Sequence, residues 1–157
     1  MVNPDERVLQ EVERLSIFEL AGNLFGLDIL KSREVIPLPR YTPLPNSEDI
    51  FCGVFNLRGE IFPLIDISPI LGFPLKKIKP DDMVILVDGK SNFTFGMIVD
   101  GIHSVLSYTA EELQEPKGLV SKKISTYLTG TIHRENNIIH RLDLESLFMT
   151  KQILAHY

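Results

Sequence analysis

Residues 53–67 read GVFNLRGEIFPLIDI, and residues 130–144 read GTIHRENNIIHRLDL. Aligned without a gap, the two stretches share a glycine at the first position, apolar residues in the second half and an aspartate near the end. In each stretch, turn-forming residues separate two β-favouring runs, which predicts a hairpin whose second strand leads into a capped helix. The repetition indicates that the chain contains a duplicated all-β unit.

A second pair of segments supports the duplication. Residues 25–35, which begin Phe25-Gly26, align with residues 95–105, which begin Phe95-Gly96. One pair of this kind is expected by chance among short apolar strands, but two pairs in the same order favour duplication. Because neither half, at roughly 70 residues, has much core of its own, we expect the two halves to fold together across an apolar interface.

The remaining sequence also predicts strands, with only short helical segments. From residue 16 onward, β-favouring runs alternate with Gly, Pro, Asn and Asp, as in a barrel or sandwich. Residues 37–46 contain four prolines and predict an extended crossing connection, because proline removes a backbone donor. Helical signals occur in four places, namely an N-terminal arm or short helix at residues 1–15, Ser68-Pro69, a capping box at Thr109–Glu112, and residues 144–154 after Asp143.

Composition excludes several classes of protein. The net charge of −5 over 157 residues argues against a nucleic-acid or anionic-membrane binder, which needs a basic surface. Cys52 is the single cysteine, so no disulfide forms within the chain, as suits a reducing cytosol. No apolar run is long enough to cross a bilayer. The four histidines lack metal-ligand spacing, and nucleotide-binding and catalytic motifs are absent from the sequence.

The sequence resembles the CheW family of chemotaxis coupling proteins. The segments that carry the resemblance cover almost everything from Phe18 to Leu147, in the order of the family: FGLDILKSREVI, GVFNLRGEIFPLIDI, GMIVDGIHSVL and STYLTG before a capped helix. The resemblance implies a mainly β fold of two interleaved, five-stranded SH3-like barrels, with short connector helices and a C-terminal helix. Residues 16–157 would then be one domain of two intertwined barrel subdomains.

The resemblance also implies a function and partners. A CheW-like protein would be a cytoplasmic scaffold, without enzymatic activity or cofactors, that couples the cytoplasmic tips of methyl-accepting chemoreceptors to the regulatory domain of a CheA-type histidine kinase. It would be monomeric on its own, would join a larger array, and would neither insert into the membrane nor bind nucleic acid. Two alternatives stay open: an adaptor of type IV pilus motility or another Che-like pathway, and a barrel with a concave pocket for a small ligand.

The turn Asn56-Leu57-Arg58-Gly59 contains the main candidate site residue. Gly59 can adopt the conformation that a tight hairpin turn requires, and Arg58 then presents a planar, charged donor fork. The pattern alone favours a solvated turn arginine, whereas the resemblance implies that Arg58, with Asn56 and Gly59 beside it, couples receptor and kinase. It also implies kinase contacts at Glu34, at the end of the second strand of the first barrel, and at Gly53, where glycine permits close approach of the crossing segment.

Several residues have two interpretations. Phe95, Ile102 and Val105 predict either an apolar docking surface for a receptor helix or part of the barrel core. Asp66 and Asp143 each precede a predicted helix, and this favours capping over a pair of catalytic carboxylates. His140 and Arg141 interrupt the apolar pattern of the last hairpin, which indicates either an edge strand or a contact specific to this protein.

Overall fold

The computed structural model describes residues 12–44, 50–89, 92–115 and 125–148. This part of the chain contains ten strands and one α-helix, α1 (Leu144–Phe148). In chain order the strands are β1 (Glu13–Leu20), β2 (Asn23–Asp28), β3 (Ser32–Pro37), β4 (Phe51–Leu57), β5 (Glu60–Ile65), β6 (Met83–Asp88), β7 (Thr94–Val99), β8 (Gly101–Tyr108), β9 (Leu128–Arg134) and β10 (Asn137–Leu142).

The strands form two five-stranded sheets that exchange strands between the halves of the chain. Barrel A has the order β8-β1-β2-β10-β9, and barrel B has the order β3-β6-β7-β5-β4. Each barrel therefore takes two strands from one half and three from the other. The consecutive strands β2 and β3, which span most of residues 25–35, do not form a hairpin, because β2 belongs to barrel A and β3 to barrel B. The short 3-10 turn Ile29–Lys31 carries the chain between them.

The strand register confirms the duplication. In barrel B, β5 runs parallel to β7, with Leu64 opposite Gly96. In barrel A, β10 runs parallel to β2, with Arg141 opposite Gly26. These two pairs occupy the positions that the sequence alignment matches, so the halves are equivalent residue by residue.

Two equivalent bridges close the sheets into barrels. Thr42, which follows β3, exchanges backbone hydrogen bonds of 2.8 and 3.0 Å with Val54 on β4. Gln114, which follows β8, exchanges two bonds of 2.8 Å with Thr131 on β9. Because β3 and β4 are opposite edges of one sheet, and β8 and β9 of the other, each bridge joins the two edges of its barrel. The predicted crossing segment thus supplies one closing contact, although its residues 45 and 46 lie outside the described ranges.

The apolar core extends across both barrels. Phe18 and Phe25 of barrel A belong to the same buried cluster as Ile85 and Met97 of barrel B. Two smaller clusters, one in barrel B around Phe55 and Phe62 and one in barrel A around Leu15, Tyr108 and Ile132, complete the core. The shared cluster is the apolar interface expected of two halves that fold together.

The structure corrects two predictions about helices and agrees with a third as far as it is described. Residues 13–15, placed in an N-terminal arm or helix, belong to β1, where pairing with both β2 and β8 satisfies the backbone; residues 1–11 lie outside the described ranges. Ser68 to Gly72 makes a single turn rather than a helix, since Pro74 follows closely. The predicted helix at residues 144–154 is described only as far as Phe148.

Candidate partner-binding site

The tip of the β4–β5 hairpin presents Arg58 to solvent. Arg58 and Gly59 both have positive φ, 50° and 88°, the combination that a two-residue hairpin turn requires. The Asn56 side chain accepts a hydrogen bond of 3.2 Å from the Gly59 N–H, which fixes the turn. The side chain of Arg58 is 68% exposed, so the prediction of a solvent-facing turn arginine is confirmed.

Arg58 forms a two-point ion pair with Glu34 that the sequence did not predict. Its Nη1 donates to Glu34 Oε1 at 3.1 Å, and its Nη2 donates to Oε2. The hydrogen bond from Arg58 lowers the pKa of the Glu34 carboxyl, so both groups are charged at neutral pH. Glu34 does not end a second strand of the barrel that contains Phe25; it lies on β3, in barrel B.

Gly53 allows the crossing segment to close barrel B. A Cβ at this position would overlap the carbonyl oxygen of Thr42 and would lie 3.0 Å from Pro43 Cα. The equivalent Gly130 would place a Cβ 2.7 Å from the carbonyl oxygen of Gln114. The predicted close approach is therefore confirmed, and it recurs in both barrels.

The three apolar residues predicted as either a docking surface or barrel core, namely Phe95, Ile102 and Val105, differ in burial. Phe95 is fully buried in the shared core, because β7 is a central strand with every residue buried. Ile102 is half-buried against the same cluster, whereas Val105 is 52% exposed. Val105 pairs with Ser16 and Ile102 pairs with Phe18, with a β-bulge between the two pairs, so both side chains lie on the same face of β8. Phe95 is a core residue, Ile102 is partly exposed beside the core, and Val105 is on the surface.

The hairpin tip of barrel A carries the opposite charge. Glu135 occupies the position equivalent to Arg58 and has nearly the same positive φ, 53°. Beside it, Arg134 donates to Glu112 at 2.7 and 3.0 Å and to the carbonyl of Ser107 at 2.9 Å. Each tip is thus tied to its barrel by an arginine–glutamate pair. The ungapped alignment of the two repeats already shows the change of charge, because it places Glu135 opposite Arg58.

His140 and Arg141 do not lie on an edge strand, because β10 lies between β2 and β9. Arg141 donates to the Tyr108 hydroxyl at 2.8 Å and to Thr129 Oγ1 at 2.7 Å. His140 lies 5.6 Å from the ring of Phe25, and its buried Nδ1 has no hydrogen-bond partner among the described residues. Burial, together with the nearby His133, lowers the pKa of the His140 imidazole.

A buried lysine joins the two barrels, and no sequence pattern indicated it. Lys76 Nζ, in a side chain only 4% exposed, lies 2.8 Å from Asp82 and also binds Asp100. Asp100 connects β7 of barrel B to β8 of barrel A, and its carboxylate accepts the Ala21 N–H at 2.8 Å. Burial disfavours both charges, but their hydrogen bonds raise the pKa of Lys76 and lower that of Asp100. We call these residues the joint.

The remaining acidic candidates stabilise backbone turns. Asp143 accepts the Ser146 N–H at 3.2 Å, which confirms it as the cap of α1. Asp66 is buried and accepts the N–H groups of Ser68 and Lys76 at 2.9 and 2.8 Å, so it caps a turn rather than a helix. The described residues contain no group of three His, Cys, Asp or Glu side chains that could hold a metal ion. In the same ranges, no helix is long and apolar enough to span a membrane.

Comparison with known proteins identifies the family. A family model described as the CheW-like domain matches residues 14–152. The chemotaxis protein CheW of Klebsiella aerogenes is 31% identical over 138 residues, which cover 87% of this chain and 82% of that protein. Protein PilI of Pseudomonas aeruginosa is 28% identical over 118 residues, which cover 75% and 66% respectively.

A solved structure agrees with the sequence matches. The crystal structure of the scaffolding protein TtCheW from Thermoanaerobacter tengcongensis superposes with a TM-score of 0.77 at 27% identity. The superposition covers 90% of this chain and 91% of that chain. Together with the strand-exchanged barrels, these matches show that the chain belongs to the CheW-like domain family.

Proposed function

We propose that this protein is a chemotaxis adaptor that couples chemoreceptor tips to a CheA-type histidine kinase. The observation that carries the proposal is the exposed Arg58–Glu34 pair, which joins the two edges of barrel B. Relatives named as chemotaxis proteins and as a scaffolding protein support it. In this proposed role the protein has no catalytic activity and no cofactor, and it acts in the cytoplasm beside membrane receptors.

The ion pair suits a binding role, because it holds the Arg58 side chain in place and leaves some of its N–H donors available to a partner. A guanidinium has five N–H donors, and two of them bind Glu34, so three remain for a partner's carboxylates or carbonyls. The turn that holds Arg58 is fixed by Asn56 and Gly59. A partner therefore meets a preorganised surface, which lowers the entropic cost of association.

We assign the kinase contact to the surface around Glu34, Gly53 and Arg58. For the receptor we retain Val105 and replace the two more buried residues by Val35, its equivalent in the duplication, which is 37% exposed. Exposed valines on strands suit the apolar face of a helix. Interfaces of about 800 Å² per partner or less, with a few dominant residues, fit a dynamic array.

The proposed mechanism requires both partners to bind the same adaptor at once. The adaptor is a monomer that presents different faces to receptor and kinase, so a change in receptor state alters the geometry at the kinase. Such a change shifts the kinase equilibrium only by the difference in binding free energy between its states.

A second candidate keeps the fold and changes the pathway. The match to protein PilI, which is not named as a chemotaxis protein, favours an adaptor of type IV pilus motility or another Che-like system as the alternative. A ligand-binding barrel is less well supported, because apolar side chains fill both barrels.

Reconstitution with the kinase and receptor of the same organism tests the proposal. The purified chain should assemble with the kinase regulatory domain and a receptor signalling tip, and kinase autophosphorylation should then depend on receptor state. Arg58→Glu should abolish that dependence. Arg14→Glu makes the same charge change at an exposed position of β1 and should preserve it. Receptor control that survives Arg58→Glu would remove the site assignment, and absence of any assembly would remove the function.

A further inference from the structure

A small cavity lies at the joint between the barrels. Its volume is about 250 Å³, and it is lined by Leu20 and Ala21 of barrel A, by the connection from β5 to β6, and by Asp100. The part of that connection from Phe73 to Lys79 forms neither helix nor strand. The cavity is therefore bounded by one barrel, by an extended segment of the other, and by the residue that links them.

The cavity is cationic although the protein is acidic. Lys76 is paired with both Asp82 and Asp100. Lys77 and Lys79 also line the cavity and, among the described residues, form no salt bridge, although the charge of Lys79 acts on Asp100. The whole chain has a net charge of −5. An acidic ligand is thus repelled by most of the surface and attracted here.

The same cavity exposes apolar surface. Leu75 is 49% exposed, and Leu20, which is 1% exposed, contributes to the wall behind it. An aliphatic side chain placed against Leu75 would bury apolar area of that residue and its own, at about 25 cal/mol per Å², whereas Leu20 is already covered. The cavity therefore combines one exposed aliphatic side chain, Leu75, with two lysines that form no salt bridge among the described residues.

We propose that the joint cavity binds an acidic peptide segment of a partner protein, with an aliphatic side chain on Leu75 and carboxylates on Lys77 and Lys79. A protein segment fits better than a metabolite, because small-molecule sites usually enclose about 300–1,000 Å³ and this cavity is smaller and open. One inserted side chain with charged neighbours matches its size and charge.

This contact is separate from the Arg58–Glu34 site. The β5 strand begins beside the Arg58 turn and ends at Ile65, just before the segment that lines the cavity. The two sites are therefore about one strand length apart, on the order of 17 Å. Both can be occupied at once, so the inference does not depend on what binds Arg58.

Titration of the 15N-labelled full-length protein with a defined peptide tests the inference. The probe is acetyl-Gly-Glu-Leu-Glu-Gly-amide, and its control carries Gln in place of each Glu. We expect amide shifts confined to Ala21, residues 75–79 and Asp100. The Lys77→Glu/Lys79→Glu variant should bind about tenfold more weakly, added salt should weaken binding, and Lys31→Glu, an exposed lysine elsewhere, should bind normally.

Three results would overturn the inference: no shifts at about 10 mM peptide, equal shifts with the Gln peptide, or equal binding by the Lys77→Glu/Lys79→Glu variant. Because neither lysine forms a salt bridge among the described residues, the variant should remain folded, and its unfolding midpoint checks this. The milder Lys77→Gln/Lys79→Gln variant gives the same test if charge reversal disturbs the fold.

Discussion

Arg58 at the tip of the β4–β5 hairpin and Glu34 on β3 form an ion pair that joins the two edges of barrel B. Thr42 and Val54 connect the same two regions through their backbones. The backbone bridge is enough to close the barrel, whereas the ion pair is exposed to solvent. An exposed pair contributes little to folding, so these two charged side chains are available for recognition.

Removing either charge should therefore leave the fold intact. We expect Arg58→Gln and Glu34→Gln to unfold in urea at nearly the midpoint of the original protein, because water solvates the remaining partner. Urea titrations followed by circular dichroism measure this. A large loss of stability in either variant would mean that the pair is structural, and binding effects at Arg58 would lose their simple interpretation.

Lys76 should behave in the opposite way. Lys76→Met leaves Asp82, whose side chain is 3% exposed, without its cation, and breaking a buried pair from one side costs about 3 kcal/mol. The neighbouring Lys77→Met is the matched control and should be nearly neutral. Equal free energies of unfolding for the two variants would show that the joint does not stabilise the fold.

Substitution of individual glycines distinguishes the cost of a steric overlap from the cost of an unfavourable turn conformation. Gly53→Ala should destabilise by about 3 kcal/mol, because its Cβ would overlap the Thr42 backbone. Gly59→Ala, where nothing lies within 4 Å of the added Cβ, should lose only about 1 kcal/mol for its positive φ. Gly130→Ala should resemble Gly53→Ala if the barrels close equivalently. Thermal and urea unfolding give the order, and a reversed order would contradict the closure argument.

His140 should make stability depend on pH. Burial lowers the pKa of His140 below its ordinary value near 6.5, so between these two values the unfolded chain binds more protons than the folded one. The contribution of the neutral imidazole is complete above about pH 6.5 and is lost as the pH falls through the folded pKa. The free energy of unfolding should decrease from pH 7.5 to 5 more steeply in the original protein than in His140→Gln. Parallel curves would contradict a half-buried His140 whose imidazole is neutral in the folded protein.

The sequence predicted the fold because its signals are local and repeated. Glycines, turn residues and the ungapped repeat define hairpins, and hairpin register follows from turn length. Only the family resemblance predicted the exchange of strands between barrels. Local sequence rules predict a hairpin for β2 and β3, because the two strands are short and follow each other closely. Likewise, the continuous apolar run of β7 indicated a strand. It did not indicate that both faces of this strand are covered, which is why Phe95 is buried.

The candidate site residues were named one by one, but not as an arrangement. The turn motif predicted a solvent-facing Arg58, and the resemblance implied a binding role for Arg58 and Glu34. Their ion pair joins positions 24 residues apart, and no periodicity reports such a contact. The joint was missed for the same reason, because Lys76 stands in a lysine-rich segment whose local pattern indicates a solvated loop.

The most direct test of the account is the dissociation constant between this protein and the regulatory domain of its cognate CheA-type kinase, measured by isothermal titration calorimetry for the original protein, Arg58→Glu and Arg14→Glu. The account predicts saturable binding by the original protein and by Arg14→Glu, and at least about tenfold weaker binding by Arg58→Glu. Equal affinity of all three proteins, or no binding by any of them, would contradict it.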